Sequence, residues 1–122
     1  MDRTFALLGS LSAALAVALG TFAAHVIRGR VSADLANVFE VGARYHMYHA
    51  LALFGVAWVA TRWPGAVTNA AGWVFVAGTV LFSGSLYAMT FTGQRWLGAI
   101  TPFGGVAFIL GWLALAWRLL LR

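Results

Sequence analysis

Four long apolar runs alternate with short polar links along this chain. They fall at about residues 5–26, 42–61, 70–91 and 97–121, each near the 20 or so residues a helix needs to cross a bilayer core of about 30 Å. The second run differs from the others. Its lead-in, from Glu40 to Leu53, reads Glu-Val-Gly-Ala-Arg-Tyr-His-Met-Tyr-His-Ala-Leu-Ala-Leu and holds a carboxylate, an arginine, two tyrosines and two histidines.

The links carry recognisable helix punctuation. Residues 28–38 are polar, and Ser32 ahead of Ala33-Asp34-Leu35 predicts an N-cap for a short amphipathic helix at the membrane surface. Arg62-Trp63-Pro64-Gly65 ends the second run, because proline lacks the amide a helix needs and Arg-Trp suits the headgroup layer. Pro102 predicts a kink or a late start in the fourth. The first run competes with a signal-peptide reading through Arg3 and Thr21-Phe22-Ala23, but is expected to stay as a span with Met1 in place. Ser12, Ala16, Gly20 and Ala24 fall four apart on it, a stripe suited to close helix packing.

Short links between four spans predict an all-α integral membrane bundle of four antiparallel transmembrane helices, one domain over residues 1–122. With the face holding both termini called side A and the opposite face side B, the topology makes a further prediction. His25 at the end of the first span, Glu40 to His49 at the start of the second, Ser83, Ser85 and Tyr87 late in the third and Thr101 early in the fourth all fall towards side B. A polar pocket opening to side B and closed by apolar packing towards side A is expected. A symmetric pore is not, since a conducting path needs polar lining through its whole depth.

Composition agrees with a bilayer as solvent: 62% of the 122 residues are hydrophobic and 9% charged, against about 25% charged in ordinary soluble domains, with mean hydropathy +0.87. The formal charge of +5 comes from arginines alone, placed singly at the edges of apolar runs. No basic stripe exists, so nucleic acid is not an expected partner. The absence of cysteine removes disulfides, thiol nucleophiles, iron–sulfur clusters and c-type haem attachment. Arg3, Arg62, Arg118 and Arg122 lie on side A and Arg28, Arg30, Arg44 and Arg95 on side B. With Arg44 set aside as a site residue, the arginine bias places side A and both termini in the cytoplasm.

On a helix turning about 100° per residue, Glu40, Arg44, Tyr48, Tyr45 and His49 span about half the circumference, with His46 just beyond that arc. Glu40 and Arg44 stand at the spacing that pairs acid with base. The candidate pocket is therefore His25, Glu40, Arg44, Tyr45, Tyr48, His49, Ser83, Ser85, Tyr87 and Thr101. The competing reading makes Arg44 an interfacial side chain reaching lipid phosphates and the tyrosines an aromatic belt. His25 and His49 invite a metal or haem, but the ligand signatures are incomplete and no cofactor is expected. Ser83-Gly84-Ser85 lacks a nucleophile elbow, and Gly104-Gly105 suits close packing, so no catalytic residue is assigned and an enzyme is not the favoured class.

Gly20-Thr-Phe-Ala-Ala-His25, Arg44-Tyr-His-Met-Tyr-His-Ala-Leu-Ala52, Phe82-Ser-Gly-Ser-Leu-Tyr87 and Ile100-Thr-Pro-Phe-Gly-Gly105 together resemble the bacterial domain-of-unknown-function family 423, which includes the small vertebrate transmembrane protein 256. The resemblance implies a four-helix protein of the bacterial inner membrane with no established activity. His46 stands where that family often has glutamine, and Ala23 where it usually has glycine. Two functions are expected. One is binding or transport of a small solute, proton or lipid through the side B pocket, with the lipid bilayer as partner and a homo-oligomer completing any path. The alternative is a structural or assembly subunit of a larger membrane complex.

Overall fold

The computed structural model describes residues 2–121, and no strand occurs among them. Met1 and Arg122 lie outside the described residues, so the Arg122 contribution to side A does too. Helix α1 spans Asp2–Phe22 and widens into one π turn, Ala23–Ile27; α2 spans Ala33–Arg62, α3 Ala66–Thr92 and α4 Thr101–Leu120. A single 3₁₀ turn, Arg95–Ala99, precedes α4.

Ser32 caps α2 as expected, its Oγ accepting the Leu35 amide at 3.1 Å. The short surface helix does not exist as a separate element: residues 33–62 form one helix of 30 residues. Gly42 is the only helix-weakening residue between the cap and the apolar run. One glycine costs about 1 kcal/mol, too little to break a helix that packs on both sides. Gly65 and Gly93 stand at φ +141° and +71°, stopping points that side chains with a Cβ rarely adopt. Pro102 falls in the first turn of α4, where its missing amide costs nothing, so the late start is realised rather than a kink.

The helices run up, down, up and down. At side A, Phe5 meets Trp73 edge-on at 5.3 Å, and Arg118 donates to the Pro64 carbonyl at 3.3 Å. At side B, Arg95 pairs with Asp34 at 2.6 Å and Arg28 with Glu40. Close interfaces join consecutive helices, α1 with α2, α2 with α3 and α3 with α4, so α2 and α3 are central and α1 and α4 flank them. Gly104 sets the last interface, since a Cβ there would run into the Phe82 backbone.

The helix α2 contributes two inward stripes. Ala36, Phe39, Ala43, His46, Ala50, Leu53 and Ala57 alternate at three and four residues and are all buried. Gly42, His49, Val56 and Val59 form the second stripe. By contrast Leu7, Leu11, Leu15, Ile109, Leu113 and Trp117 on the flanking helices are about half exposed or more, a pattern that suits lipid rather than water.

Among the described residues, three helical stretches are long and apolar enough to cross a membrane by length and composition: Arg3–Ile27, Ala66–Thr92 and Arg95–Leu120. The fourth helix, α2, has the length without the apolarity, because its polar groups point into the bundle or lie along its open edge. The chain is an all-α, four-helix membrane bundle.

Candidate functional site

The two histidines of α2 are equally buried, 4% exposed for His46 and 5% for His49, yet they face opposite neighbours. His46 points between α1 and α3. Its Nδ1 lies 2.9 Å from the Tyr87 hydroxyl and its Nε2 2.9 Å from Ser12 Oγ. Gly42 lets this happen, because the Tyr87 ring lies against it at a distance where a side chain would crowd the ring. His46 is near the middle of α2 and Ser12 near the middle of α1, so the linkage sits close to mid-depth.

His49 points between α3 and α4. Its Nδ1 donates to the Tyr45 carbonyl at 2.8 Å and its Nε2 accepts from Trp112 Nε1 at 3.1 Å. A carbonyl can only accept and an indole N–H can only donate, so the ring is held as the neutral Nδ1–H tautomer. Its face stacks on Phe108 at 3.5 Å with 6° between planes. Hydroxyls, by contrast, both donate and accept, so the Ser12–His46–Tyr87 chain has two hydrogen-bond patterns. Passing from one to the other takes a proton in at Ser12, moves one across each hydrogen bond, and releases one at Tyr87.

A groove of about 430 Å³ opens beside His46. Leu8, Leu11 and Leu15 of α1 form one wall, Val76, Val80 and Gly84 of α3 the other, and His46, Ser12, Ser83 and Tyr87 supply its polar floor. No charged side chain lines it. Leu11, Leu15 and Val80 are 61%, 53% and 66% exposed, so the rim lies on the lipid-facing surface and the groove opens sideways. A second hollow, of about 560 Å³, lies between α2 and α4 beside His49, Tyr45, Phe82 and Trp112.

The residues singled out from the sequence are dispersed over these features. Tyr87 joins the groove. Ser83 donates to the Gly42 carbonyl at 2.7 Å and Ser85 lies 2.6 Å from the Thr101 hydroxyl, ties that fasten α3 to α2 and to α4. Glu40 pairs with Arg28, not with Arg44, because the link folds Arg28 back over the start of α2. Arg44, Tyr45 and Tyr48 lie on the exposed edge of α2, with Tyr45 against Phe82 and Tyr48 against Tyr45. His25 is exposed in the π turn. The side B end of the bundle is filled by Phe22, Phe39 and Phe91, with Phe39 fully buried, where an open vestibule was expected. No group of three metal-ligating side chains occurs among the described residues.

His46 and Ser12 are the residues that helix-wheel reasoning passed over. The wheel took the charged side of α2 as the inward side. The small-and-apolar stripe from Ala36 to Ala57, spaced three and four apart, marks the true inward face and runs through His46.

Comparison with known proteins matches residues 19–105 to the family described as protein of unknown function, DUF423. The chain is 48% identical over 89 residues to the UPF0382 membrane protein YwdK of Bacillus subtilis, covering 71% of this chain and 72% of that one. It is 43% identical over 87 residues to a UPF0382 membrane protein of Staphylococcus aureus, covering 71% and 70%. A UPF0382 membrane protein of Staphylococcus epidermidis is 44% identical over 85 residues, covering 70% and 69%. No solved structure matches the chain.

Proposed function

Since the chain belongs to the DUF423 family of membrane proteins, a family without an assigned activity, we propose that it binds a lipid-soluble molecule in the groove between α1 and α3. One observation carries this reading: an apolar groove, entered from the lipid side, ends on a buried histidine joined to two hydroxyls. Ligand sites share its make-up of mostly apolar walls with a few converging polar groups.

Gly84 offers a direct test. A Cβ on Gly84 meets no atom within 4 Å and Gly84 lines the groove, so Gly84→Leu is the substitution chosen to fill it. Mass spectrometry of organic extracts from the purified protein should find a lipid-soluble species with the wild type and lose it with Gly84→Leu. Equal extracts from both would refute the reading.

A second reading, assembly with itself or with a larger complex, is favoured by one feature. Asn37, Arg44, Tyr48, Leu51, Gly55 and Trp58 follow one another along the exposed edge of α2, and Arg44 has no partner among the described residues. Arg44→Leu should then change the mass of the particle in mild detergent. Side A is proposed to face the cytoplasm from the arginine placement. A C-terminal reporter active only outside the cytoplasm would reverse that orientation.

A further inference from the structure

One hydroxyl hydrogen on the groove floor is left without a bond. Ser12, His46 and Tyr87 make two hydrogen bonds among themselves. A neutral imidazole brings one N–H, and each hydroxyl brings one O–H, which makes three donors for two bonds. If Ser12 donates to Nε2, the ring donates to Tyr87 and the tyrosine hydrogen is left over. If Tyr87 donates to Nδ1, the ring donates to Ser12 and the serine hydrogen is left over. A protonated ring would leave both.

Serines in helices usually spend their hydrogen on the carbonyl one turn back, as Ser10 does on Ala6 at 2.9 Å. Ser12 makes no such bond, and Tyr87 has no acceptor other than His46 among the described residues. Both hydroxyls line the groove. With lipid rather than water outside, a spare donor has nothing to bond unless a ligand supplies an acceptor.

We infer that the groove takes a neutral, apolar molecule headed by a carbonyl oxygen, which accepts the spare hydrogen of Ser12 or Tyr87. This rests on the groove being a binding site, as argued above, and adds the chemistry of the head. The head is neutral because no arginine or other cation lines the groove, and a carboxylate or phosphate would be buried there without a counter-charge. It is an acceptor because one O–H of the floor is left without a partner, and an orphaned donor is rarer and costlier than an unused hydroxyl lone pair. Its body is apolar because the walls are leucine, valine and glycine, with one threonine, Thr79, whose hydroxyl hydrogen goes to the Phe75 carbonyl. The two patterns differ in whether Ser12 or Tyr87 keeps the spare hydrogen, so either hydroxyl can be the one that meets the carbonyl.

The probes are methyl decanoate, decanoate and decane, titrated into the full protein in nanodiscs and followed by histidine ¹⁵N spectra. Methyl decanoate should shift the His46 ring resonances and leave those of His49 in place. It should bind about five- to ten-fold tighter than decane, the value of one hydrogen bond, and tighter than decanoate. The variant combining Ser12→Ala, His46→Leu and Tyr87→Phe removes all donors together and strands none. It should bind methyl decanoate and decane alike. Equal binding of decane and the ester by the wild type would overturn the carbonyl assignment while leaving the groove as a site. Tighter binding of decanoate would overturn neutrality. If no probe binds and Gly84→Leu changes nothing, the groove itself is not a site.

Discussion

His46 and His49 stand three residues apart on one helix, are buried to the same degree, and differ in what their nitrogens meet. His49 meets a fixed acceptor and a fixed donor and lies flat on Phe108. His46 meets two hydroxyls that can reverse roles, beside an apolar groove. The first arrangement has one ground state and binds α2 to α4. The second has two hydrogen-bond patterns, which differ in which hydroxyl keeps its hydrogen. Burial of a polar residue in a membrane protein is therefore an incomplete sign of function.

The contrast breaks first on truncation. His49→Ala removes a stacked ring and leaves the Trp112 N–H without its acceptor, and should cost about 3 kcal/mol in reversible unfolding from mixed micelles. A loss below that of His46→Ala would end the assignment of His49 as the structural histidine. Glutamine sharpens the comparison, because it keeps a donor and an acceptor without an aromatic face. His46→Gln should stay within about 1 kcal/mol of wild type, whereas His49→Gln should lose about 2 kcal/mol with the Phe108 stack.

Smaller effects come from the surfaces around the two rings. Gly84→Leu should stabilise by about 0.5 to 1 kcal/mol through helix propensity while abolishing ligand retention, an opposition that a purely structural groove would not produce. Arg44→Leu should move monomer stability by less than about 0.5 kcal/mol, since the guanidinium makes no bond within the described chain. A larger loss would mean that Arg44 supports the fold of a single copy. Smallest of all is the gap between the His46 tautomers: nitrogen spectra should show His49 as Nδ1–H alone and His46 as an exchanging pair.

Much of the architecture was legible without coordinates. The four-helix make-up followed from hydropathy, the Ser32 cap and the Pro64-Gly65 stop from backbone chemistry, and the antiparallel order from link length, whereas the start of α2 at Ala33 did not. The candidate site was legible only in part. The Glu40–Arg44 spacing suggested a pair, but Arg28 twelve positions earlier reaches Glu40 first, which local spacing cannot reveal. Ser12 looked like packing because its partner, His46, lies on another helix 34 residues away.

By itself, the sequence determined that this protein is a helical bundle in a membrane, because an apolar chain with almost no charge has no other low-energy solvent, and its periodicity and breakers set the helix ends. Only the tertiary structure decided which side of α2 faces inward and which of its histidines is locked. Rotation of a helix about its axis is set by which neighbour accepts which stripe. Two residues about 60° apart can then be parted by a boundary between neighbours that no local pattern marks. On this helix that boundary falls between His46 and His49.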